Sequence, residues 1–297
     1  MWNPFKWFSQ HRQDSQPEEH VWRFSAALLS DTGCLRTSNE DSGCFLEALP
    51  RPGGQKSLLG VIADGMGGHQ AGEVASRLAV QTVCHAYLEE TGGAEQRLQD
   101  AFAAANHAVF ERALEDDRLS GMGTTCTALA LDKGFAHMAH VGDSRLYLIR
   151  QGEMYQMTED HSHVMELVRK GVITAEEARD HPERNVLHRA LGRQAEVEVS
   201  CWAEGVPLQD GDRYLLCSDG LSGVLSDDTI RQVAAEFEPA AACANLIDLT
   251  RRAGAPDNVT VGIVAIHEAG NEDAELPPTR ELEATASENE QGRPVQP

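Results

Sequence analysis

A chain of 297 residues with 41% hydrophobic content has apolar material for one large domain or two small ones. Its formal net charge of −22 excludes a binder of nucleic-acid backbones, which needs clustered lysine and arginine, and suits a soluble protein that collects cations. Aromatics make up only 5%, so aliphatic residues and alanine must fill the core. The 7 cysteines are scattered, odd in number and without a CxxC pair. They read as reduced core thiols of a cytoplasmic protein, not as a disulfide framework or a zinc site.

The start, MWNPFKWFSQHR, is aromatic and mildly basic but lacks the apolar core of a secretory signal. Residues 1–22 read as a flexible extension, whose Trp2, Phe5, Trp7 and Phe8 are either sticky tail residues or contacts for a membrane surface or partner. No apolar stretch reaches the roughly 18 residues of a membrane span. Residues 23–267 form the domain, and residues 268–297, rich in Glu and Pro, form an acidic tail predicted to be disordered.

Within the domain, SLLGVIA (57–63) predicts a strand. Two amphipathic helices follow. The first, over 73–90, places Ala75, Leu78, Ala79, Thr82, Val83, Ala86 and Tyr87 on one face. The second, over 97–114, does the same with Leu98, Ala101, Phe102, Ala105 and Val109, and TGGAEQ separates the two. Further strands are TTCTALALD, FAHMAHV, RLYLIR, RYLLCS and NVTVGIVAI. Asp132-Lys133-Gly134 and Gln151-Gly152 mark hairpin turns, so the sheets are antiparallel and the class is α+β. Residues 161–192 are charged and partly helical, which reads as a flap inserted between strands. His161 and His163 within it have the HxH spacing of a metal pair, although Asp160 as a helix cap explains the stretch equally well.

Aspartates recur at strand ends. LLGVIADGMGGHQAG (58–72) delivers Asp64 into a glycine-rich turn, AHMAHVGDS ends on Asp143, and RYLLCSDG ends on Asp219. Asp257 precedes a strand, and Asp41 lies in NEDSG. Any one of these is an ordinary turn residue. Several gathered at one sheet edge would repel unless cations neutralise them, and oxygen-only ligands suit Mg²⁺ or Mn²⁺. Two such ions are a known device for in-line displacement at phosphorus, and Arg36 is the natural partner for the phosphate oxygens.

The motifs DTGCLRTSNED (31–41), VIADGMGGHQAGEVAS (61–76), GMGTTCTAL (121–129), AHVGDSRLYLIR (139–150), MTEDHS (157–162), RALG (189–192), GDRYLLCSDGL (211–221) and DNVT (257–260) resemble, in order and spacing, the metal-dependent serine/threonine protein phosphatases of type 2C, in their compact bacterial form. The resemblance covers about Phe24 to Ile266. It implies a sandwich of two antiparallel β-sheets flanked by helix pairs, with a flap insertion. It also implies hydrolysis of phosphoserine and phosphothreonine in proteins by a water activated at a dinuclear Mn²⁺ or Mg²⁺ site. By position, Asp64 bridges both ions, Gly65 offers a carbonyl, Asp219 and Asp257 complete the second ion, and Asp41, beside Glu40, holds coordinated waters. Asp143 with Asp219 takes a third, weaker ion, Arg36 orients the phosphate, and Asn258 supports Asp257. The implied setting is a cytoplasmic monomer acting on targets of a serine/threonine kinase.

Two positions depart from the family pattern. Eukaryotic members carry a histidine two residues after the bridging aspartate, where this chain has Met66, so the general acid is either His69 or a metal-bound water. Asn185 in the flap stands where a bacterial relative has histidine. The alternatives are an inactive phosphatase-like module that binds phosphoproteins, and a phosphatase of small phosphorylated metabolites.

Overall fold

Alternation along the strands decides the layering. The computed structural model describes residues 21–48, 56–67, 70–179 and 181–269. Strand β3 (Ser57–Met66) buries Leu59, Val61 and Ala63 on one face and Leu58 and Ile62 on the other. A strand apolar on both faces must be covered on both sides. It lies within a seven-stranded sheet with β2 (Asp41–Ala48), β4 (Gly123–Thr124), β5 (Cys126–Asp132), β6 (Phe135–Val141), β9 (Ser200–Cys201) and β10 (Val206–Pro207). The order is β10-β6-β5-β3-β2, with β4 on β3 and β9 on β6.

The second sheet has five strands in the order β1-β12-β11-β7-β8. These are β1 (Trp22–Asp31), β7 (Arg145–Arg150), β8 (Glu153–Gln156), β11 (Arg213–Cys217) and β12 (Val259–Glu268). Pairing in both sheets is antiparallel among the described residues. Leu146, Leu148, Tyr214, Leu216, Val264 and Ile266 meet Leu58, Ile62, Leu129 and Leu131 between the sheets. The Phe45 ring fills the gap left by two glycines: a Cβ at Gly60 would lie 2.4 Å from it and one at Gly262 2.9 Å.

Helices cover both outer faces. Helices α1 (Gln70–Glu89) and α2 (Ala94–Glu115) pack on the seven-stranded sheet. Helix α2 buries the face expected of it. Helix α1 is rotated from expectation: Ser76, Val80 and Cys84 are buried, whereas Leu78, Thr82 and Ala86 are half-buried. It meets α2 as well as the sheet, so its buried surface is wider than one stripe. The other sheet carries α5 (Asp219–Ser222), α6 (Asp227–Glu236) and α7 (Pro239–Arg252). The flap contains α3 (His163–Arg169) and α4 (Ala175–Arg179). Both predicted hairpin turns form with positive φ, at Lys133 and Gly134 (50° and 79°) and at Gln151 and Gly152 (55° and 82°). The fold is the expected α+β sandwich with its flap.

Candidate active site

Strand ends deliver the carboxylates to one edge of the sandwich. Asp64 nears the end of β3, Asp219 follows β11 and opens α5, Asp143 sits in the β6–β7 turn, and Asp257 precedes β12. With Arg36 and Gly65 they line a cleft of about 320 Å³. Asp41, the first residue of β2, belongs to the same cluster, and its carboxylate accepts the Ser218 hydroxyl at 2.8 Å. The sequence-expected residues Arg36, Asp41, Asp64, Gly65, Asp143, Asp219 and Asp257 therefore come together. His69 lies outside the described residues.

The backbone around these residues is held tightly. Thr125 Oγ1 accepts the Asp64 N–H at 2.9 Å, and Thr124 Oγ1 donates to the Asp64 carbonyl at 2.8 Å. Thr125 also meets Ser144 Oγ at 2.7 Å, which joins the Asp64 strand to the Asp143 turn. That turn needs Gly142: its φ is 114°, and a Cβ there would lie 2.6 Å from Thr125. Asn258 Oδ1 accepts the Glu40 N–H at 2.8 Å, and its Nδ2 donates to the Thr32 and Ser38 carbonyls at 2.9 Å. Asn258 thus anchors the whole loop that carries Arg36, a wider role than support of Asp257. Gly65 N–H donates to Glu40 O at 3.0 Å, closing the same loop onto β3.

Charge crowds this edge. Burial pushes Asp41 up to about 7, against the Thr260 and Ser218 hydroxyls that lower it. Burial, then the charges of Asp41, Asp219 and Asp143, raise Asp64 well above the usual carboxylate range. Asp143 is raised well above it too, by burial and then by Asp219 and Asp160, and Asp219 is raised by burial and then by Asp257. Two buried oxygens, Asp41 Oδ1 and Asp219 Oδ1, have no hydrogen-bond partner. Buried carboxylates with unpartnered oxygens fit hard divalent cations bound through oxygen. Positive charge reaches the cluster from Arg145, near Asp143, and from Arg36, whose guanidinium meets Asp257 Oδ2 at 2.8 Å.

The flap forms one wall of the cleft through Asn185 and Leu187. The HxH pair is not a chelate. His161 accepts the Gly142 N–H on Nδ1 at 3.1 Å and meets Ser200 Oγ through Nε2 at 2.9 Å, while His163 faces Glu183. Ser162, not Asp160, caps α3. Asp160 instead takes Arg145 in a forked contact at 2.7–3.1 Å. The supporting groups Thr125, Ser144, Ser218 and Arg145 lie inside the motifs GMGTTC, GDSR and CSDG, which offered the aspartates as a signal but not their partners.

Residues 49–250 match the protein phosphatase 2C family, and the chain belongs to that family. It is 42% identical over 245 residues to the serine/threonine protein phosphatase PstP of Mycobacterium tuberculosis, covering 81% of this chain and 44% of that one. This chain thus spans less than half the length of that relative. It is 38% identical over 245 residues to the serine/threonine phosphatase stp of Listeria innocua, covering 80% of this chain and 94% of that one. Its fold aligns with a crystal structure of the catalytic domain of PstP in complex with 2 manganese ions, at 39% identity and a TM-score of 0.70, over 84% of this chain and 100% of that one.

Proposed function

We propose that this chain is a metal-dependent phosphatase that removes phosphate from phosphoserine and phosphothreonine in proteins. The observation that carries the reading is the convergence of Asp64, Asp219 and Asp257 on one cleft with Asp41 close behind them, buried oxygens left unpartnered on Asp41 and Asp219, and Arg36 on the cleft wall. The relatives' names as serine/threonine phosphatases support the same reaction class.

In this reading Asp64, Asp219, Asp257 and the Gly65 carbonyl would hold two Mn²⁺ or Mg²⁺ ions, and Asp41 would hold waters beside them. Asp143 and Asp219 would hold a third ion more weakly. Such ions, when bound, lower the pKa of water and stabilise charge on the phosphate oxygens. The protein's own contribution is positional. Thr124 and Thr125 fix the Asp64 backbone, Ser218 fixes one Asp41 oxygen, and Asn258 fixes the loop of Arg36. Arg36 would turn from Asp257 to two oxygens of the substrate phosphate, a geometry guanidinium groups favour. Either a water or His69 would hand a proton to the leaving serine or threonine oxygen.

The catalytic unit is the expected 23–267 widened by one residue at each end, because Trp22 opens β1 and pairs with Glu268 at the end of β12. All 7 cysteines are free of disulfides, which supports a reducing compartment such as the cytoplasm. Among the described residues no helix is long and apolar enough to cross a membrane. We read the protein as a monomer acting on substrates of a serine/threonine kinase.

The test is hydrolysis of a phosphothreonine peptide with EDTA, Mg²⁺ or Mn²⁺, beside Asp64→Asn. Turnover that needs added metal and vanishes in the variant supports the reading. A folded protein inert with every metal overturns it.

A further inference from the structure

Outside the acidic cleft, the flap gathers a second set of ligand atoms of different chemistry. His163 and Glu166 lie three residues apart on α3 and share a helix face. His188 comes from the returning segment, which is fastened to the start of α3. Ser162 and Leu187 form a β-bridge, His163 N–H donates to Val186 O, and His188 N–H donates to His161 O, both at 2.8 Å. One ligand atom from each of His163, Glu166 and His188 lies within 4.8 Å of the others. His188 Nε2 is 2.9 Å from Glu166 Oε2, and His163 Nε2 is 3.4 Å from Glu183 Oε2. Lys170 Nζ holds the other Glu166 oxygen, at 2.5 Å.

We propose that His163, Glu166 and His188, with Glu183 in reach, form a binding site for a zinc-class transition-metal ion. Two imidazole nitrogens and a carboxylate suit Zn²⁺, Co²⁺ or Ni²⁺, whereas Mg²⁺ and Mn²⁺ prefer oxygen donors. Tetrahedral coordination at about 2.0–2.1 Å puts ligand atoms roughly 3.4 Å apart, so the cluster closes by little more than about an ångström. All of these side chains are at least partly exposed, so rotamer changes supply that movement. Lys170 stays on Glu166 Oε1 and leaves Oε2 to the ion.

The position gives the site a consequence. Asn185 and Leu187, which wall the catalytic cleft, lie between Glu183 and His188 in the chain. An ion bound to both α3 and His188 staples that wall to α3. The flap sequence reads H-x-x-E on the helix and a second histidine ligand 22 residues after Glu166, beyond His181, too dispersed to stand out without the fold.

The test is zinc binding by the full chain in a large excess of Mg²⁺, which competes for the oxygen-only ligands. Zinc affinity of the wild type, Asp64→Asn, His188→Ala and Glu166→Gln is measured by titration. The visible spectrum of the Co²⁺ form is recorded to report nitrogen ligation. The proposal expects one zinc equivalent retained by both wild type and Asp64→Asn, with affinity falling more than about tenfold in His188→Ala and in Glu166→Gln. Zinc should also slow amide exchange over residues 183–188 in the wild type and not in His188→Ala. No retained zinc, zinc lost with Asp64→Asn, or flap variants that bind as the wild type does would each overturn it. None of these readouts uses catalysis, so the outcome is independent of the phosphatase reading.

Discussion

Asp41 and Asp64 face each other directly across the β2–β3 ladder. Like charges directly opposite in an antiparallel pair are destabilising. Here both carboxyls are buried and both are pushed above the usual range. This arrangement opposes folding, a cost that the proposed metal binding would offset. Asp64→Asn is therefore expected to abolish metal binding and nearly all hydrolysis, yet to stabilise the metal-free protein by up to about 1 kcal/mol, a rise of roughly 2–4 °C in Tm. Calorimetry in EDTA checks this. A variant that melts lower than wild type in EDTA would mean that the Asp64 carboxylate supports the fold.

If the crowded carboxylates hold divalent ions as proposed, those ions stabilise the fold. At about 100 times the Kd, an ion that binds only the folded chain adds about 2.7 kcal/mol. Protons held by the raised carboxyls must leave as the ion enters, because ligands bind deprotonated. Titration of Mn²⁺ in buffers of differing ionisation enthalpy should show proton release near neutral pH, and Tm should rise with Mn²⁺ concentration. Absence of both effects would contradict the proposed ligand set.

Arg36 is half-exposed and bonded to Asp257, so two roles compete for it. If its main role is to bind phosphate, Arg36→Ala should raise KM and lower kcat/KM about 10- to 100-fold, as expected for a lost charge-assisted contact, and leave metal affinity nearly unchanged. Arg36→Lys should recover little, since an ammonium cannot make the forked contact. Steady-state kinetics beside metal titration separates the roles. A large loss of metal in Arg36→Ala would show that the arginine mainly braces Asp257.

The strand-end aspartates were legible because each follows or precedes an apolar run at a turn. The sheets were legible where both faces are buried, as in β3, β5 and β12. Strands β1 and β2 were not, because each is an edge strand, and β1 shows a mixed burial pattern. Helices α6 and α7 also escaped, being short and polar on their outer faces. The flap histidines were misleading as a pair: His161 braces Gly142 while His163 points away, and only the bridge from Ser162 to Leu187 shows where each faces. Hydroxyl partners such as Thr125 and Ser218 are invisible without the fold, since a threonine or serine beside a strand end is ordinary.

His140 is fully buried, with Nδ1 2.9 Å from Thr127 Oγ1 and its ring 4.7 Å from that of His161. Burial pushes His140 down to about 4, and burial with the His140 and Arg189 charges pushes His161 down to about 3. The unfolded chain takes up these protons first, near pH 6.5. Stability from each neutral histidine is therefore intact above about pH 6.5 and declines as the pH falls toward 4, by up to about 1.4 kcal/mol per pH unit for each ring. The raised carboxyls act in the opposite direction, so the measurement is a difference. Urea midpoints of wild type and His140→Asn from pH 7.5 to 4.5 should converge on acidification. Parallel curves would show that His140 is not a buried neutral ring.

Arg150 and Asp212 form a buried pair, 4% and 1% exposed, with Nη2 2.6 Å from Oδ2 and Nε 2.7 Å from Oδ1. Asp212 also accepts the Gln209 N–H at 2.8 Å, and Arg150 donates to Pro207 O at 2.8 Å. The pair ties β7 to the turn before β11, far from the acidic cleft in sequence role, although Asp212 lies in the same GDRYLLCSDG run as Asp219. Removing one partner leaves the other charge buried, at about 3–5 kcal/mol. Arg150→Met should lose that much stability in urea unfolding while the folded fraction keeps wild-type kcat and metal affinity. Adding Asp212→Leu to Arg150→Met should recover part of the loss, because no uncompensated charge remains. A single variant as stable as wild type would mean that water reaches the pair and screens it.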